Sequence, residues 1–442
     1  MHSKALSQLA DKLSDKSFIL GVIGLGYVGL PLSLTFLRKG IKVFGFDLDP
    51  TKIVKIEQGQ SYIKHIPSEE LTRFVSQKLF AATSDFSRLN EPDGLLICVP
   101  TPLTANREPD LKYIEATGRA IAKVLRPGQL IVLESTTYPG TTVEILQPLL
   151  EESGLKAGVD FALAFSPERE DPGNPNFGTA NIPKVVGGID PSSSNLAQSL
   201  YAAALERVVP VTSTQSAEMT KLLENIFRSV NIALVNELKI LCLRMGIDIW
   251  EVIDAASTKP FGYMPFYPGP GLGGHCIPID PFYLTSKARE YDIPTKFIEL
   301  AGEINTSMPY FVVQRVMDAL NNNGKAMKGA KILILGVAYK KNIDDDRESP
   351  SYKLMELLTE RGAEICYNDP HIPTLRPTRK YNFNLSSTPI SEENLRQSDC
   401  ILIATNHDAY DYEFILRHAP LIVDTKNVFA NRSEYPDKIY MA

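Results

Sequence analysis

Short, continuously apolar runs recur along the first 212 residues, separated by amphipathic stretches. Phe18–Ile23, Ile41–Phe46, Leu95–Val99, Leu130–Leu133 and Phe161–Phe165 read as strands. A strand covered on both faces shows an unbroken apolar run rather than alternation. Pro31–Lys39, Leu111–Val124 and Thr142–Glu152 read as the helices between them. Strands alternating with helices predict an α/β fold with a doubly wound parallel sheet.

The pattern changes near residue 213. From Ser213 to Met245 neither proline nor glycine intervenes, and Leu222, Leu223, Ile226, Val230, Ala233, Leu234, Leu238 and Leu241 recur at helical spacing. One long helix is expected, ending at Gly246, with further helices to about residue 320. The proline- and glycine-dense segment Lys259–Pro281 interrupts them. A second alternating region opens at Lys331: strands at Lys331–Leu335, Glu364–Tyr367, Asp399–Ala404 and Leu421–Val423, with a helix at Ser351–Arg361. The expected organisation is a Rossmann-like domain over 1–212, a helical central domain over 213–325, and a second Rossmann-like domain over 326–442. Length supports this, since 442 residues suggest about three domains.

Composition narrows the function classes. Hydrophobic residues make up 44% and charged residues 22%, as in ordinary globular proteins. The net charge of −6 argues against nucleic acid as a partner. Five widely spaced cysteines with no CxxC pair fit reduced thiols in a cytoplasmic protein and give no metal-site spacing. The N-terminal stretch lacks an uninterrupted apolar region followed by a cleavage site, so neither a signal peptide nor a membrane span is expected.

Gly24-Leu25-Gly26-Tyr27-Val28-Gly29 follows the first strand and opens a helix. Such glycines allow a tight turn, bring backbone N–H groups to a pyrophosphate, and let helix pack on strand. Asp47 ends the second strand, 23 residues after Gly24, where a carboxylate bonds a ribose 2′-hydroxyl and repels a 2′-phosphate. Together they predict NAD rather than NADP. Lys52 reads either as a phosphate partner or as a solvated lysine.

Pro268–Pro281 is the most unusual segment, placing the Cys276 thiol and the Asp280 carboxylate directly after a glycine cluster. A thiolate there is positioned to attack an aldehyde carbon and then hold a thioester. His275 adjoins it, but neighbouring side chains point apart often enough that no role is assigned. Lys221 and Asn225 share one face of the long helix, which reads either as a solvated face or as a cation and an amide aimed at a developing oxyanion. Polar loops end three strands: Val99-Pro100-Thr101-Pro102, Glu134–Thr142 and Phe165–Arg169. Ligands of open α/β sheets bind at such ends. Hydroxyls and Glu168 at these ends read as groups that position a cofactor or activate water; the alternative for the hydroxyls is helix capping, which would account for one of Thr141 and Thr142.

With GLGYVGLP, VPTP, STTYPGTT, SPER, EMTKLLEN, GGHCIPIDP and LGVAYKKNIDDDRESPS in this order, the chain resembles the UDP-glucose/GDP-mannose dehydrogenase family over residues 18–430. The PFYPGPGLGGHCIPIDPFYL stretch looks most like its N-acetylhexosamine branch, the UDP-N-acetylglucosamine or -galactosamine 6-dehydrogenases. The resemblance implies oxidation of a nucleotide-sugar 6-alcohol to the acid with two NAD⁺. It makes Cys276 the thioester nucleophile, puts Lys221, Asn225 and Asp280 around the reacting oxygen, and places Thr136 and Glu168 beside the hydrolytic water. The cofactor contacts it implies are Gly24, Gly26, Tyr27, Val28, Gly29, Asp47, Lys52, Thr101 and Thr136. Its substrate contacts are Glu168, Arg169, Lys221, Asn225, Tyr267, Gly273, and the anchors Lys340 and Arg347. The last domain is expected to hold UDP, and its Gly336-Val337-Ala338-Tyr339-Lys340 turn departs from a second NAD fingerprint. A homodimer or higher oligomer packed on the long helix is expected. The competing readings are UDP-glucose as substrate, a two-electron hydroxy-acid dehydrogenase, and a non-catalytic nucleotide-sugar-binding protein.

Overall fold

The computed structural model describes residues 4–63, 66–104, 108–169, 178, 181–274, 277, 279–378, 380–429 and 434–442. The chain forms two compact units, Met1–Glu224 with Phe282–Ile293, and Asn225–Pro281 with Pro294–Ala442.

The first unit is built on an eight-stranded sheet. Its strands are β1 (Ile19–Ile23), β2 (Lys42–Phe46), β3 (Phe80–Thr83), β4 (Gly94–Ile97), β5 (Leu130–Leu133), β6 (Ala162–Phe165), β7 (Lys184–Gly188) and β8 (Val208–Val211). They lie in the order β3-β2-β1-β4-β5-β6-β7-β8. The first six run parallel, whereas β6 pairs with β7 antiparallel. The predicted parallel sheet therefore carries a reversed extension. Strand order turns back between β1 and β4, which opens a crevice at the carboxyl ends of those strands. Both sheet faces are covered. Leu20, Val22, Leu96, Leu130 and Val132 pack into one core; the intervening Ile23, Leu95, Ile97, Ile131 and Leu133 pack into the other. This is why the strands read as unbroken apolar runs, each buried aliphatic contributing about 1.5–3 kcal/mol.

The second unit holds a five-stranded parallel sheet, β9 (Lys331–Leu335), β10 (Glu364–Asn368), β11 (Cys400–Ile403), β12 (Ile422–Asp424) and β13 (Ile439–Met441), ordered β10-β9-β11-β12-β13. The long helix runs Thr214–Met245, beginning in the first unit and continuing in the second. Within the second unit the helix Lys296–Asn322 is tied to it by buried amides. Asn236 Nδ2 donates to Asn305 Oδ1 at 2.9 Å, and Asn305 Nδ2 donates to the Ser229 carbonyl at 3.0 Å. Asn236 Oδ1 also accepts from the Gly269 N–H at 3.0 Å, pinning the glycine-rich loop to the helix.

Candidate active site

The dinucleotide turn has the geometry its glycines require. A Cβ on Gly24 (φ +92°) would sit 2.4 Å from the Cys98 carbonyl oxygen, and one on Gly29 would sit 1.9 Å from that of Gly24. Gly26 has nothing within 4 Å of its own Cβ position, so the bare space lies beside the backbone where a pyrophosphate would rest. The helix Gly29–Arg38 starts at Val28 without a side-chain cap. These features fit NAD, with Gly24–Gly29 cradling its phosphates at the helix N-terminus.

Asp47 is buried at the end of β2. Its Oδ2 accepts from the Leu25 N–H at 2.8 Å and from Lys52 Nζ at 2.9 Å, and Oδ1 accepts from the Asp49 N–H at 2.9 Å. Lys52 is thus not a free surface lysine: it pairs with the Asp47 carboxylate. Thr101 lies at the end of the β4 loop, where its carbonyl accepts the Tyr283 hydroxyl.

The loop after β5 carries half-buried Thr136 and is fastened by a residue the sequence reading missed. Glu218, on the long helix one turn before Lys221, accepts from the Gly140 N–H at 2.6 Å, the Thr142 N–H at 2.9 Å and the Thr142 hydroxyl at 2.7 Å. Burial pushes its carboxyl up to about 7 against the pull of these donors. The alternative that a hydroxyl of Thr141 or Thr142 caps the following helix is not realised. The Thr141 hydroxyl bonds the Tyr138 carbonyl, and a carboxylate from another element satisfies the exposed N–H groups. The helix itself opens with a π turn, Thr142–Leu146, before Gln147–Glu151.

The loop after β6 carries Glu168 and Arg169. Arg169 pairs with Glu224 at 2.6 Å and donates to the Pro183 carbonyl at 2.6 Å, so its guanidinium braces the loop. Lys221 is buried on the long helix, between Glu218 and Glu224 in sequence.

In the second unit the structure brings together two residues 55 positions apart. Asn225 Nδ2 donates to Asp280 Oδ2 at 2.5 Å, both side chains buried, with Asp280 at the first turn of Asp280–Ala288. Cys276 and His275 lie outside the described residues. Among the described cysteines, Cys98, Cys242, Cys366 and Cys400 are all free, and burial pushes Cys98 well above its ordinary value. Gly273 packs on the β9 turn: a Cβ there would come within 2.5 Å of Tyr339 Cβ, and the Gly274 N–H donates to the Arg347 carbonyl at 3.2 Å. The glycine-rich loop and the Lys340/Arg347 loop are therefore one surface. Arg347 donates Nε and Nη2 to the Asp345 carboxylate at 2.6–3.1 Å. Tyr267 is half exposed and donates its hydroxyl to Asp254 at 2.6 Å.

The β9 turn repeats the first unit's device with a different outcome. Asp369, at the end of β10, accepts from the Val337 and Ala338 N–H groups at 2.7 and 2.9 Å, and His407 Nε2 lies 3.1 Å from the same oxygen. The carboxylate is fully buried and turned inward, so this turn offers a ribose no acceptor. Among the described residues, no cluster of His, Cys, Asp and Glu is placed to hold a metal, and no helix is long and apolar enough to cross a membrane.

A doubly wound sheet with an open glycine turn at a helix N-terminus, together with a second α/β unit, fits the class of nicotinamide-dependent dehydrogenases. The chain belongs to the UDP-glucose/GDP-mannose dehydrogenase family: its NAD-binding domain matches residues 19–205, its central domain 215–307 and its UDP-binding domain 333–431. The UDP-N-acetyl-D-mannosamine dehydrogenase of Pyrococcus horikoshii is 35% identical over 419 residues, covering 92% of this chain and 95% of that protein. The UDP-N-acetyl-D-glucosamine 6-dehydrogenase of Pseudomonas aeruginosa is 34% identical over 397 residues, covering 89% and 92%. The solved structure of the P. horikoshii UDP-D-ManNAc dehydrogenase superposes with a TM-score of 0.84 at 34% identity, covering 93% of this chain and 96% of that one.

Proposed function

We propose that this protein oxidises the 6-hydroxyl of a UDP-N-acetylhexosamine to the carboxylate, with UDP-N-acetylglucosamine the leading substrate and UDP-N-acetylmannosamine and -galactosamine its nearest competitors. The buried Asn225–Asp280 bond carries the reading, because it fixes an amide donor and a carboxylate four residues beyond Cys276. The named activities of the relatives support the N-acetylated class; those names include mannosamine, which the sequence alone did not suggest. The three-part division at 212 and 325 is proposed with it.

NAD, when bound, accepts the hydride in each of two oxidations. The protein's own groups do the rest. Lys221 and Asn225 stabilise negative charge on the C6 oxygen as its proton leaves. The Cys276 thiolate adds to the aldehyde carbon and retains it as a thiohemiacetal, whose oxidation yields a thioester. Asp280, Thr136 and Glu168 orient and deprotonate the water that cleaves it. One alcohol and one water thus give one carboxylate with four electrons removed. Lys340 and Arg347 are assigned to the diphosphate, which suits paired cations. The long helix is assigned to a homodimer interface.

The test is NADH yield and product mass over UDP-N-acetylglucosamine, -galactosamine, -mannosamine and UDP-glucose. Two NADH per sugar and a uronic acid are expected, with Cys276→Ser binding NAD but losing turnover. One NADH per sugar, or normal turnover by Cys276→Ser, would overturn the covalent route. UDP-glucose used as efficiently as every N-acetylated sugar would overturn the substrate class alone.

A further inference from the structure

The loops bearing Thr136 and Glu168 are joined beneath the sheet edge by a buried ion pair. Glu134 directly follows β5 and precedes Ser135-Thr136. Its Oε2 accepts from Lys184 Nζ at 2.5 Å, and its Oε1 accepts the Tyr201 hydroxyl. Lys184 Nζ also donates to the Pro167 carbonyl at 3.1 Å, one residue before Glu168. All three side chains are buried, Glu134 at 1%, Lys184 at 6% and Tyr201 at 0% exposure.

The local strand pairing explains why side chains are needed here. The antiparallel β6–β7 register is Ala164 with Gly188 and Phe165 with Gly187, and goes no further. Pro167 has no N–H with which to extend a ladder. Beyond that point the Ser166 hydroxyl bonds the Val185 carbonyl at 2.8 Å and Lys184 bonds the Pro167 carbonyl, so side chains continue the tie the backbone abandons. Burial pushes the Lys184 ammonium down, but the Glu134 and Glu168 carboxylates more than offset it and hold the group charged. Stability alone is a poor reason to keep such a pair, because well-packed apolar residues in its place are often neutral or stabilising.

We propose that Glu134–Lys184 is a positioning pair that sets the separation of Thr136 and Glu168, and so the placement of the water that cleaves the thioester. This rests on the roles assigned to those two residues above. It predicts a defect confined to the last chemical step.

The experiment compares the wild type with Lys184→Arg, Glu168→Gln and the double variant Glu134→Leu/Lys184→Met, which removes both charges together and so avoids an orphaned ion. The double variant is expected to keep its melting temperature and its KM for NAD. It should show a pre-steady-state burst of NADH, while steady-state kcat falls by about tenfold to a hundredfold. Intact mass should show the acyl adduct accumulating, and Lys184→Arg should recover part of the rate. The proposal fails if the double variant turns over like the wild type, or if kcat and melting temperature fall while KM for NAD rises, with no burst. Normal turnover by Glu168→Gln would instead defeat the assignment of Glu168 and leave the reaction type standing.

Discussion

Asp47 and Lys239 show how single buried charges set measurable properties. Asp47 is held by two backbone N–H groups and by Lys52, three donors for a carboxylate that can accept about four. Asp47→Asn removes the charge that repels a 2′-phosphate and releases Lys52. The ratio of kcat/KM for NAD⁺ over NADP⁺ should then fall by roughly tenfold or more, since charge-assisted bonds are worth about 1.5–3 kcal/mol. A ratio near one in the native protein would show that the carboxylate does not select the cofactor. Lys239 is the opposite case. Its Nζ is buried without a hydrogen-bond partner, 5.3 Å over the Trp250 ring. Burial and the neighbouring Lys426 lower it from 10.5 to about 7. Between those values the unfolded chain binds the proton and the folded chain does not, so stability rises with pH across that window. Lys239→Met should flatten the rise and lift Tm at pH 6 by about 2 °C or more. An unchanged pH profile of Tm would sink this account. Asp47 was legible from its spacing to Gly24. Lys239 was not, because a lysine on a helix reads as solvated until the elements packed around it are known.

At the scale of elements the long helix does two jobs. Its buried face carries Glu218, Lys221 and Asn225. On the other side Phe227, Leu234 and Leu241 recur every seven residues and are exposed, with Leu223 and Met245 extending the row by one turn at each end. That spacing suits a helix-pairing seam, in line with the homodimer proposed above. Leu234→Glu with Leu241→Glu should convert a dimer to a monomer in sedimentation, because the charges would be buried unpaired. A native protein that sediments as a monomer would remove the reason for the seam. The helix was readable end to end, as 32 residues without a breaker carry a strong 3.6-residue signal. Strand β8 was not. Val208–Val211 is four residues long, largely half exposed and contains Pro210, so it lacks the buried apolar signature and pairs only at its edge position. The N-terminal helix Lys4–Asp15 was overlooked although Leu6, Leu9 and Leu13 mark its buried face.

The whole molecule separates two nucleotide tasks between two α/β units that share one turn design. Gly24 and Gly336 both adopt positive φ, +92° and +86°, and each strand after the turn ends in an aspartate that accepts turn N–H groups. The difference lies in what else meets the carboxylate: Lys52 at a crevice for Asp47, His407 in a sealed interior for Asp369. On the proposed assignment the second unit meets its ligand through its Lys340 loop. Lys340→Met should raise KM for the UDP-sugar about tenfold or more while leaving KM for NAD unchanged. Equal effects on both constants would contradict the division. The sequence by itself determined the alternating elements, the glycine turn after the first strand and the aspartate that ends the second. Each is a local signal, written in apolar period or in residues a few positions apart. Only the tertiary structure decided that Glu218 caps a distant helix, that β7 runs against β6, that Asn225 meets Asp280, and that Glu134 and Lys184 join the loops after β5 and β6. The side-chain partners lie 50 to 78 residues apart, and nothing in local propensity records which buried donor will face which acceptor once the strands are stacked.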